Sequence, residues 1–205
     1  MAVEEVGLRE RKKERTRQTL ADVAAELFDR QGFQDTTIKQ IADVAEVSPR
    51  TVSAYFPVKE ELVFCGHQEI FDALERRLAE RPAGATTADT LRAWLSEMFE
   101  EADVDHDHSR RTRELIESDP ALRTYERGLQ ERAERIVARA VAVDLGVSDD
   151  ELVPHMVGAA TIAALDAMGR RAKESSAEEF HANAVQVVDD AMAFIGAGVQ
   201  ALAER

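Results

Sequence analysis

The sequence predicts an all-α protein of about nine helices, divided into a short N-terminal helical domain and a longer C-terminal one. Three observations support this prediction. Aromatic residues make up only 5% of the 205 residues, while the helix-favouring alanine, leucine, glutamate and arginine dominate. Apolar residues recur at the spacings of three and one that mark one face of a helix. No alternating pattern of the kind that indicates a strand is longer than four residues.

The first helix is predicted over residues 9–30, because its apolar residues fall on a single stripe. These residues are Leu20, Val23, Ala24, Leu27 and Phe28. Gly32 is expected to end the helix, since glycine readily adopts the left-handed conformation that follows many helices.

Two short helices are predicted next, and each has its own start signal. Thr37 and Gln40 have the spacing of a capping box. Ser48 followed by Pro49 places a hydroxyl at the cap and a proline at the first helical position. Pro57 ends the second helix, because the residue before a proline avoids helical dihedral angles. Two helices of about two turns joined by a short turn form a helix-turn-helix.

The rest of the chain is predicted to form longer helices. A proline-glycine break at residues 81–84 and a polar stretch at 103–109 separate the first of them. Asp119-Pro120 and two further capping boxes, Ser148 with Glu151 and Ser176 with Glu179, open the last three. The predicted ranges are 59–80, 87–102, a short helix ending at 116, 119–146, 148–173 and 176–203.

The charge is unevenly distributed along the chain. The net charge is −14, yet residues 1–59 hold 10 basic and 10 acidic side chains, and residues 8–17 alone have six basic against two acidic. Such an asymmetry suggests an N-terminal end that faces nucleic acid, although a solvated basic helix gives the same pattern. Cys65 is the single cysteine, and we expect a cytoplasmic protein with neither a secretory signal nor a membrane span.

Residues 36–62, together with the end of the first helix, resemble the DNA-binding signature of TetR-type (TetR/AcrR-like) transcriptional regulators. The matching pieces are Gly32-Phe33, Thr36-Thr37, Ile41-Ala42, Val47-Ser48, Tyr55-Phe56 and Lys59-Glu60-Glu61-Leu62. Two positions depart from the family pattern. Glu46 stands where the turn usually has glycine, which implies strain if its φ angle is positive. Arg50 replaces another common glycine and adds a basic group on the DNA side.

A helix-turn-helix must bury one side of its second helix and offer the other to the major groove of DNA. Val52 and Phe56 are predicted to face inward, and Arg50 is the side chain suited to a bidentate pair with guanine. Tyr55, Lys59 and the start of the preceding helix suit phosphate contacts. The predicted DNA-binding residues, which the resemblance also implies, are Thr36, Thr37, Lys39, Ser48, Pro49, Arg50, Thr51, Ser53, Tyr55 and Lys59.

The resemblance implies two domains: a helix-turn-helix DNA-binding domain over residues 1–58 and a helical effector-binding and dimerisation domain over 59–205. The predicted partners are a palindromic double-stranded operator, an apolar or amphipathic small molecule, and a second copy of the chain. Ala- and Gly-rich segments in the last two helices are expected to form the interface of a homodimer. Candidate effector-lining residues are Phe64, His67, Phe71, Trp94, Met98, Phe99, Tyr125, Leu129 and Met156, and ordinary core packing is the alternative for each of them.

No catalytic motif is found, so we predict a regulator, most simply a repressor released by its effector, and not an enzyme. Two alternatives stay open: a DNA-binding protein controlled by a protein partner, and an all-helical enzyme. The DVDHDH stretch, Asp103–His108, contains potential metal ligands, but adjacent residues of a loop rarely converge on one ion. We therefore predict a solvated acidic loop, with no metal and no cofactor.

Overall fold

The computed structural model describes residues 7–101, 106–174 and 177–204. Within these ranges it contains nine α-helices and no strand, which confirms the predicted all-α class. The helices are α1 (Leu8–Gln31), α2 (Ile38–Val44), α3 (Pro49–Tyr55), α4 (His67–Ala79), α5 (Thr87–Glu101), α6 (His106–Ser118), α7 (Pro120–Leu145), α8 (Leu152–Glu174) and α9 (Ala177–Ala203). A short 3-10 helix, Lys59–Leu62, follows α3.

The helices form two compact units, which divide the chain differently from the predicted boundary after residue 58. The first unit comprises the chain up to His67 together with Arg110–Tyr125, and the second comprises Gln68–Ser109 and the chain from Glu126 onward. Residues 59–67, most of α6 and the first residues of α7 therefore pack with the three N-terminal helices. The continuous helix α7 contributes residues to both units.

The predicted helix 59–80 is wrong in its first part, because the chain is interrupted at Gly66. The φ angle of Gly66 is 89°, a left-handed value at which the helical hydrogen-bond pattern stops. Only the 3-10 helix precedes this break, and α4 begins at His67. The glycine was visible in the sequence, but the apolar stripe on either side of it favoured one continuous helix.

The predicted first residues of α6 and α8 were wrong, and the predicted cap of α9 falls outside the described residues. Helix α6 begins at His106, inside the stretch predicted to be a loop. Helix α8 begins at Leu152 because Ser148 forms a turn, in which its hydroxyl accepts a hydrogen bond from the N–H of Asp150. Ser176, the predicted cap of the last helix, lies outside the described residues.

The second unit has a core of aliphatic side chains from α4, α5, α7 and α9. Its buried residues are Leu74, Leu78, Leu91, Leu95, Ile136, Val137, Ala140, Val141, Val188, Met192 and Ile195. Within the described chain, Val185–Ala203 is the one stretch long and apolar enough to cross a membrane. Three of the core residues lie on this stretch, so its apolar character has a role in packing the unit.

Two contacts fix the helices of the second unit closely. The guanidinium of Arg81 binds the carboxylate of Asp144 at 2.5 Å, and both side chains are only 10% exposed. Asp144 also accepts the N–H of Thr87, so the end of α7 holds the start of α5. At Gly158 of α8, an added Cβ atom would lie 2.6 Å from the carbonyl oxygen of Glu134 of α7. Only glycine permits this crossing, because a larger residue would collide with backbone.

Candidate nucleic-acid interface

Helix α3 has the two faces that the sequence predicted. Val52 is fully buried and Phe56 is 1% exposed, so the inward side of the helix is confirmed. The hydroxyl of Ser48 accepts the N–H of Thr51 at 3.0 Å, and Pro49 occupies the first turn, which confirms the predicted start. Because the inner face is fixed by burial, the opposite face of α3 is held in one orientation toward solvent.

The outer face of α3 carries one cation among short polar and apolar side chains. Pro49, Arg50, Ser53 and Ala54 are exposed, while Thr51 and Tyr55 are partly exposed. The hydroxyl groups of Thr51 and Ser48 are hydrogen-bonded to each other at 2.8 Å. Arg50 is the one charged side chain among the described residues of this face. A guanidinium on an exposed, pre-positioned helix face can form two parallel hydrogen bonds to the edge of a guanine.

Helix α2 precedes α3 in the helix-turn-helix, and its start is capped as predicted. The hydroxyl of Thr37 accepts the N–H of Gln40, and the side-chain oxygen of Gln40 accepts the N–H of Thr37 at 2.8 Å. Thr37 and Lys39 are both exposed. The cap uses the N–H groups of Thr37 and Gln40, so the exposed ammonium group of Lys39 is the main donor that this helix end offers a phosphate. The helix has only seven residues and adds little dipole of its own.

Thr36 departs from the predicted role, because its side chain is only 1% exposed. Its hydroxyl donates to the carbonyl oxygen of Gly32 at 2.8 Å and accepts from the amide of Gln31 at 3.2 Å. A hydroxyl that is buried and doubly bonded is not free to contact DNA. We therefore correct the prediction: Thr36 closes the turn after α1.

Lys59 is also engaged within the protein. Its ammonium group donates to the carbonyl oxygens of Phe33 at 2.7 Å and Thr36 at 3.0 Å, and it lies 4.1 Å from the centroid of the Phe33 ring. Burial lowers the pKa of Lys59, and the negative charges of Glu60, Asp119 and Asp35 offset part of this effect. These contacts use two of its three N–H groups, so positioning the loop after α1 is its first role and a phosphate contact would be secondary.

A basic groove runs between the first turns of α1 and the end of α3. The groove has a volume of about 920 Å³ and is lined by Leu8, Arg9, Lys12, Lys13, Thr16, Arg17, Ala54, Tyr55, Pro57 and Glu61. The guanidinium of Arg17 lies 4.9 Å from the centroid of the Phe56 ring, which connects α1 to the buried end of α3. The predicted site residues did not include these α1 side chains, although the excess of basic residues at 8–17 was their signal.

The turn between α2 and α3 confirms the strain expected at Glu46. Its φ angle is 55°, the only positive φ of a non-glycine residue among those the structure describes. A side chain in this left-handed region costs about 1–2 kcal/mol. The turn therefore has the geometry of the usual glycine, which the sequence replaces with an exposed glutamate.

The predicted effector-lining residues are distributed over both units. In the first unit, the ring of Phe64 stacks on Tyr125 with centroids 5.3 Å apart and meets His67 edge-on at 5.4 Å. In the second unit, Phe71 and Trp94 pack partly buried against the core, and Leu129 is buried. Met98 is 37% exposed and Met156 is 59% exposed, while the side chain of Phe99 lies outside the described residues.

The second unit also has a cleft of about 670 Å³ that the sequence did not reveal. Its apolar floor comes from α4 and α7 and includes Leu78, Ile136 and Val143. Its rim carries the Arg81–Asp144 pair and an ion pair between Arg139 and Glu75 at 2.6 Å. None of the predicted effector-lining residues lines this cleft.

The metal prediction cannot be compared directly. Asp103–Asp105 lie outside the described residues, and the side chains of His106–Ser109 are not described. Among the side chains that are described, no three His, Cys, Asp or Glu residues come together as metal ligands do.

A short, capped recognition helix beside an ordered helix end and a basic groove defines a helix-turn-helix DNA-binding protein. Comparisons with known proteins agree with this class. Residues 20–64 match the family described as bacterial regulatory proteins of the tetR family, and residues 85–200 match the MftR C-terminal domain family. The regulator TcmR of Streptomyces glaucescens is 35% identical over 171 residues, which cover 80% of this chain and 74% of that protein.

Two solved structures share the fold at lower identity. The SmeT–triclosan complex has a TM-score of 0.60 and 21% identity, and covers 87% of this chain and 90% of its own. Thermus thermophilus FadR in complex with lauroyl-CoA has a TM-score of 0.57 and 20% identity, and covers 87% and 92% of the two chains. With this fold and these matches, the chain belongs to the TetR family of transcriptional regulators.

Replacing Glu46 tests whether the turn stores strain. We expect Glu46→Gly to be more stable than Glu46→Ala by about 0.5–1 kcal/mol, because glycine relieves the left-handed penalty but has more freedom when unfolded. Urea unfolding measures the difference. Glu46→Ala is the matched control, since it removes the same carboxylate but keeps the Cβ atom. Equal stability of the two variants would show that the turn is unstrained.

Proposed function

We propose that the protein is a dimeric repressor that binds a palindromic operator through α3 and is released by a small apolar or amphipathic effector. The observation that carries this proposal is the exposed face of α3, which presents Arg50 from a helix whose opposite face is buried. The family is one of DNA-binding regulators, so the proposal assigns gene regulation in the cytoplasm and no catalytic activity. It involves neither a membrane nor a cofactor.

The proposed contacts divide into base readout and backbone positioning. Arg50 reads a guanine, and Pro49 and Ala54 are placed to touch thymine methyl groups. Ser48, Thr51 and Ser53 carry hydroxyls for either purpose. Phosphate contacts come from Thr37 and Lys39 at the start of α2, from Tyr55, and from the basic row of α1. Lys59 contributes its remaining N–H group where the backbone comes within reach.

Arg50 and Lys12 have different expected effects on binding. We expect Arg50→Ala to weaken binding by about 1–3 kcal/mol and to relax one base position, because it removes a guanine contact. Lys12→Ala should weaken all sequences alike and reduce the slope of log affinity against log salt by about one. Selection of duplexes from a random pool, followed by anisotropy titrations at several salt concentrations, measures both effects. Unchanged base preference in Arg50→Ala would refute the assignment of α3 as the recognition helix.

The homodimer is supported by an uncovered apolar face on α9. Val187 and Phe194 are seven residues apart and share a face of the helix. Both are exposed, Phe194 by 78%, although the same helix buries Val188, Met192 and Ile195. A phenylalanine left in water on a helix whose opposite side packs in the core indicates a surface that another chain covers. In the proposed dimer, a two-fold axis relates the α8–α9 pairs and places the two recognition helices on successive turns of DNA, roughly 34–36 Å apart.

A charge at Phe194 tests the interface without disturbing the fold of one chain. We expect Phe194→Asp to sediment as a monomer at micromolar concentration, because an unpaired carboxylate is costly to bury. Ile162 is a poorer position because it packs against the core. The control is Val143→Asp, which charges an equally exposed apolar residue of α7 and should leave the dimer intact. A native chain that sediments as a monomer would contradict the proposal.

The effector is proposed to bind within the helical second unit. Phe71 and Trp94 supply partly buried aromatic surface there, and the cleft floored by Leu78, Ile136 and Val143 offers open apolar space. Such lining suits apolar or amphipathic molecules. Two fold relatives hold ligands of this kind, triclosan and lauroyl-CoA. Phe64, His67 and Tyr125 form a separate aromatic cluster in the first unit, which we keep as candidates for the same ligand response.

Binding linkage tests the effector claim. If a ligand releases the protein from DNA, its affinity must fall by the same factor when the selected duplex is bound, typically 5–150-fold for couplings of about 1–3 kcal/mol. Calorimetric titration of triclosan and of lauroyl-CoA, with and without the duplex, measures this factor. Tight binding with the same affinity in both titrations would contradict an allosteric effector. Binding of neither compound, with thermal stability raised only by a protein partner, would favour the partner-controlled alternative.

A further inference from the structure

The carboxylate of Asp119 occupies an unusual position, because it joins two parts of the first unit that are far apart in sequence. The residue is 5% exposed. One carboxylate oxygen accepts the N–H groups of Ala121 at 2.8 Å and Leu122 at 3.2 Å, and so caps the start of α7. The other accepts the side-chain amide of Gln34 at 2.6 Å. A capping residue needs only the first of these contacts.

Gln34 belongs to the loop between α1 and α2, which the structure holds from two sides. Lys59 donates to the carbonyl oxygens of Phe33 and Thr36, on either side of Gln34. Asp119 holds Gln34 itself. The loop leads directly into Thr37 and the capped start of α2, so its position determines where this helix end and its phosphate donors lie.

The electrostatics favour the same arrangement. Burial raises the pKa of the Asp119 carboxyl, but the hydrogen bonds from Gln34, Leu122 and Ala121 and the nearby charge of Lys59 outweigh it and hold the pKa below its usual value. The carboxylate is therefore ionised throughout the physiological range, and its bond to Gln34 is charge-assisted. Such hydrogen bonds are shorter and stronger than those between neutral groups.

We propose that Asp119 is a positioning residue for DNA binding, which fixes the loop before α2 to the first turn of α7. The inference rests on the proposed function, because it assigns a role in operator binding.

Variants of the Asp119–Gln34 bond can show whether DNA affinity depends on this bond, on the charge of Asp119 or on its capping of α7. Asp119→Asn keeps a capping oxygen, and the Gln34 amide can turn so that its oxygen accepts from the amide of the new asparagine. The charge-assisted bond is then replaced by a weaker neutral one. Gln34→Leu removes the bond without changing any charge. The double variant Gln34→Glu with Asp119→Asn restores the bond with donor and acceptor exchanged, and its net charge equals that of the native chain.

The readout is anisotropy with a fluorescent duplex that the native protein selects from a random pool. Asp119→Asn makes the protein less negative, so electrostatics alone would tighten DNA binding. We expect the opposite, a loss of about fivefold, as for a charge-assisted hydrogen bond replaced by a neutral one. Gln34→Leu removes the bond entirely and should lose affinity at least as strongly, and the reversed double variant should recover most of the native affinity. Native or tighter binding by Asp119→Asn, or a double variant as weak as Asp119→Asn, would overturn the proposal.

A second measurement needs no DNA and separates this inference from the proposed function. The N–H of Thr36 donates to the carbonyl oxygen of Phe33 inside the loop. Its hydrogen exchange should be about tenfold faster in Gln34→Leu, faster by a smaller factor in Asp119→Asn, and near native in the double variant. If the native chain selects no duplex, the proposed function and the DNA-binding role of Asp119 both fail. If it selects one, but exchange and affinity are unchanged in the variants, only this inference fails.

Discussion

The ammonium group of Lys59 holds the N-terminal unit together at the point where three segments meet. It donates to the carbonyl oxygens of Phe33 and Thr36, two residues that are almost fully buried. Lys59 follows the recognition helix α3, while the carbonyls lie in the loop before α2. The same ammonium group lies over the ring of Phe33, which contacts the ring of Phe28 of α1. The ammonium group of Lys59 therefore links the segment after α3 to the loop before α2 and, through the ring of Phe33, to α1.

Much of this unit could be predicted from the sequence, because its signals are local. The capping box of Thr37 and Gln40, the Ser48-Pro49 start and the burial of Val52 and Phe56 each depend on residues a few positions apart. The strain at Glu46 was expected for the same reason. Local hydrogen bonds and helical periodicity are the features that a single sequence encodes most directly.

The features that the sequence did not reveal depend on contacts between distant residues. Lys59 and Thr36 have side chains that suit a phosphate as well as a carbonyl, and only the folded loop shows which partner they have. Asp119 was recognisable as a helix start, but its bond to Gln34 spans 85 positions. The effector-lining candidates shared apolar character with ordinary core residues, so their placement in two units could not be read from composition.

The basic row at the start of α1 has a consequence for how the protein finds its site. Residues 1–59 are neutral overall and their positive charge is concentrated in α1, whereas residues 60–205 hold 16 basic and 30 acidic side chains. DNA repels the acidic part at a distance and attracts Arg9, Lys12 and Lys13. A diffusing molecule is thus turned, before contact, so that α1 and the adjoining face of α3 arrive first. In the proposed complex, the same basic row supplies non-specific binding, whose lifetime shortens as ionic strength rises. The length of DNA that one binding event can scan by sliding then shortens as well.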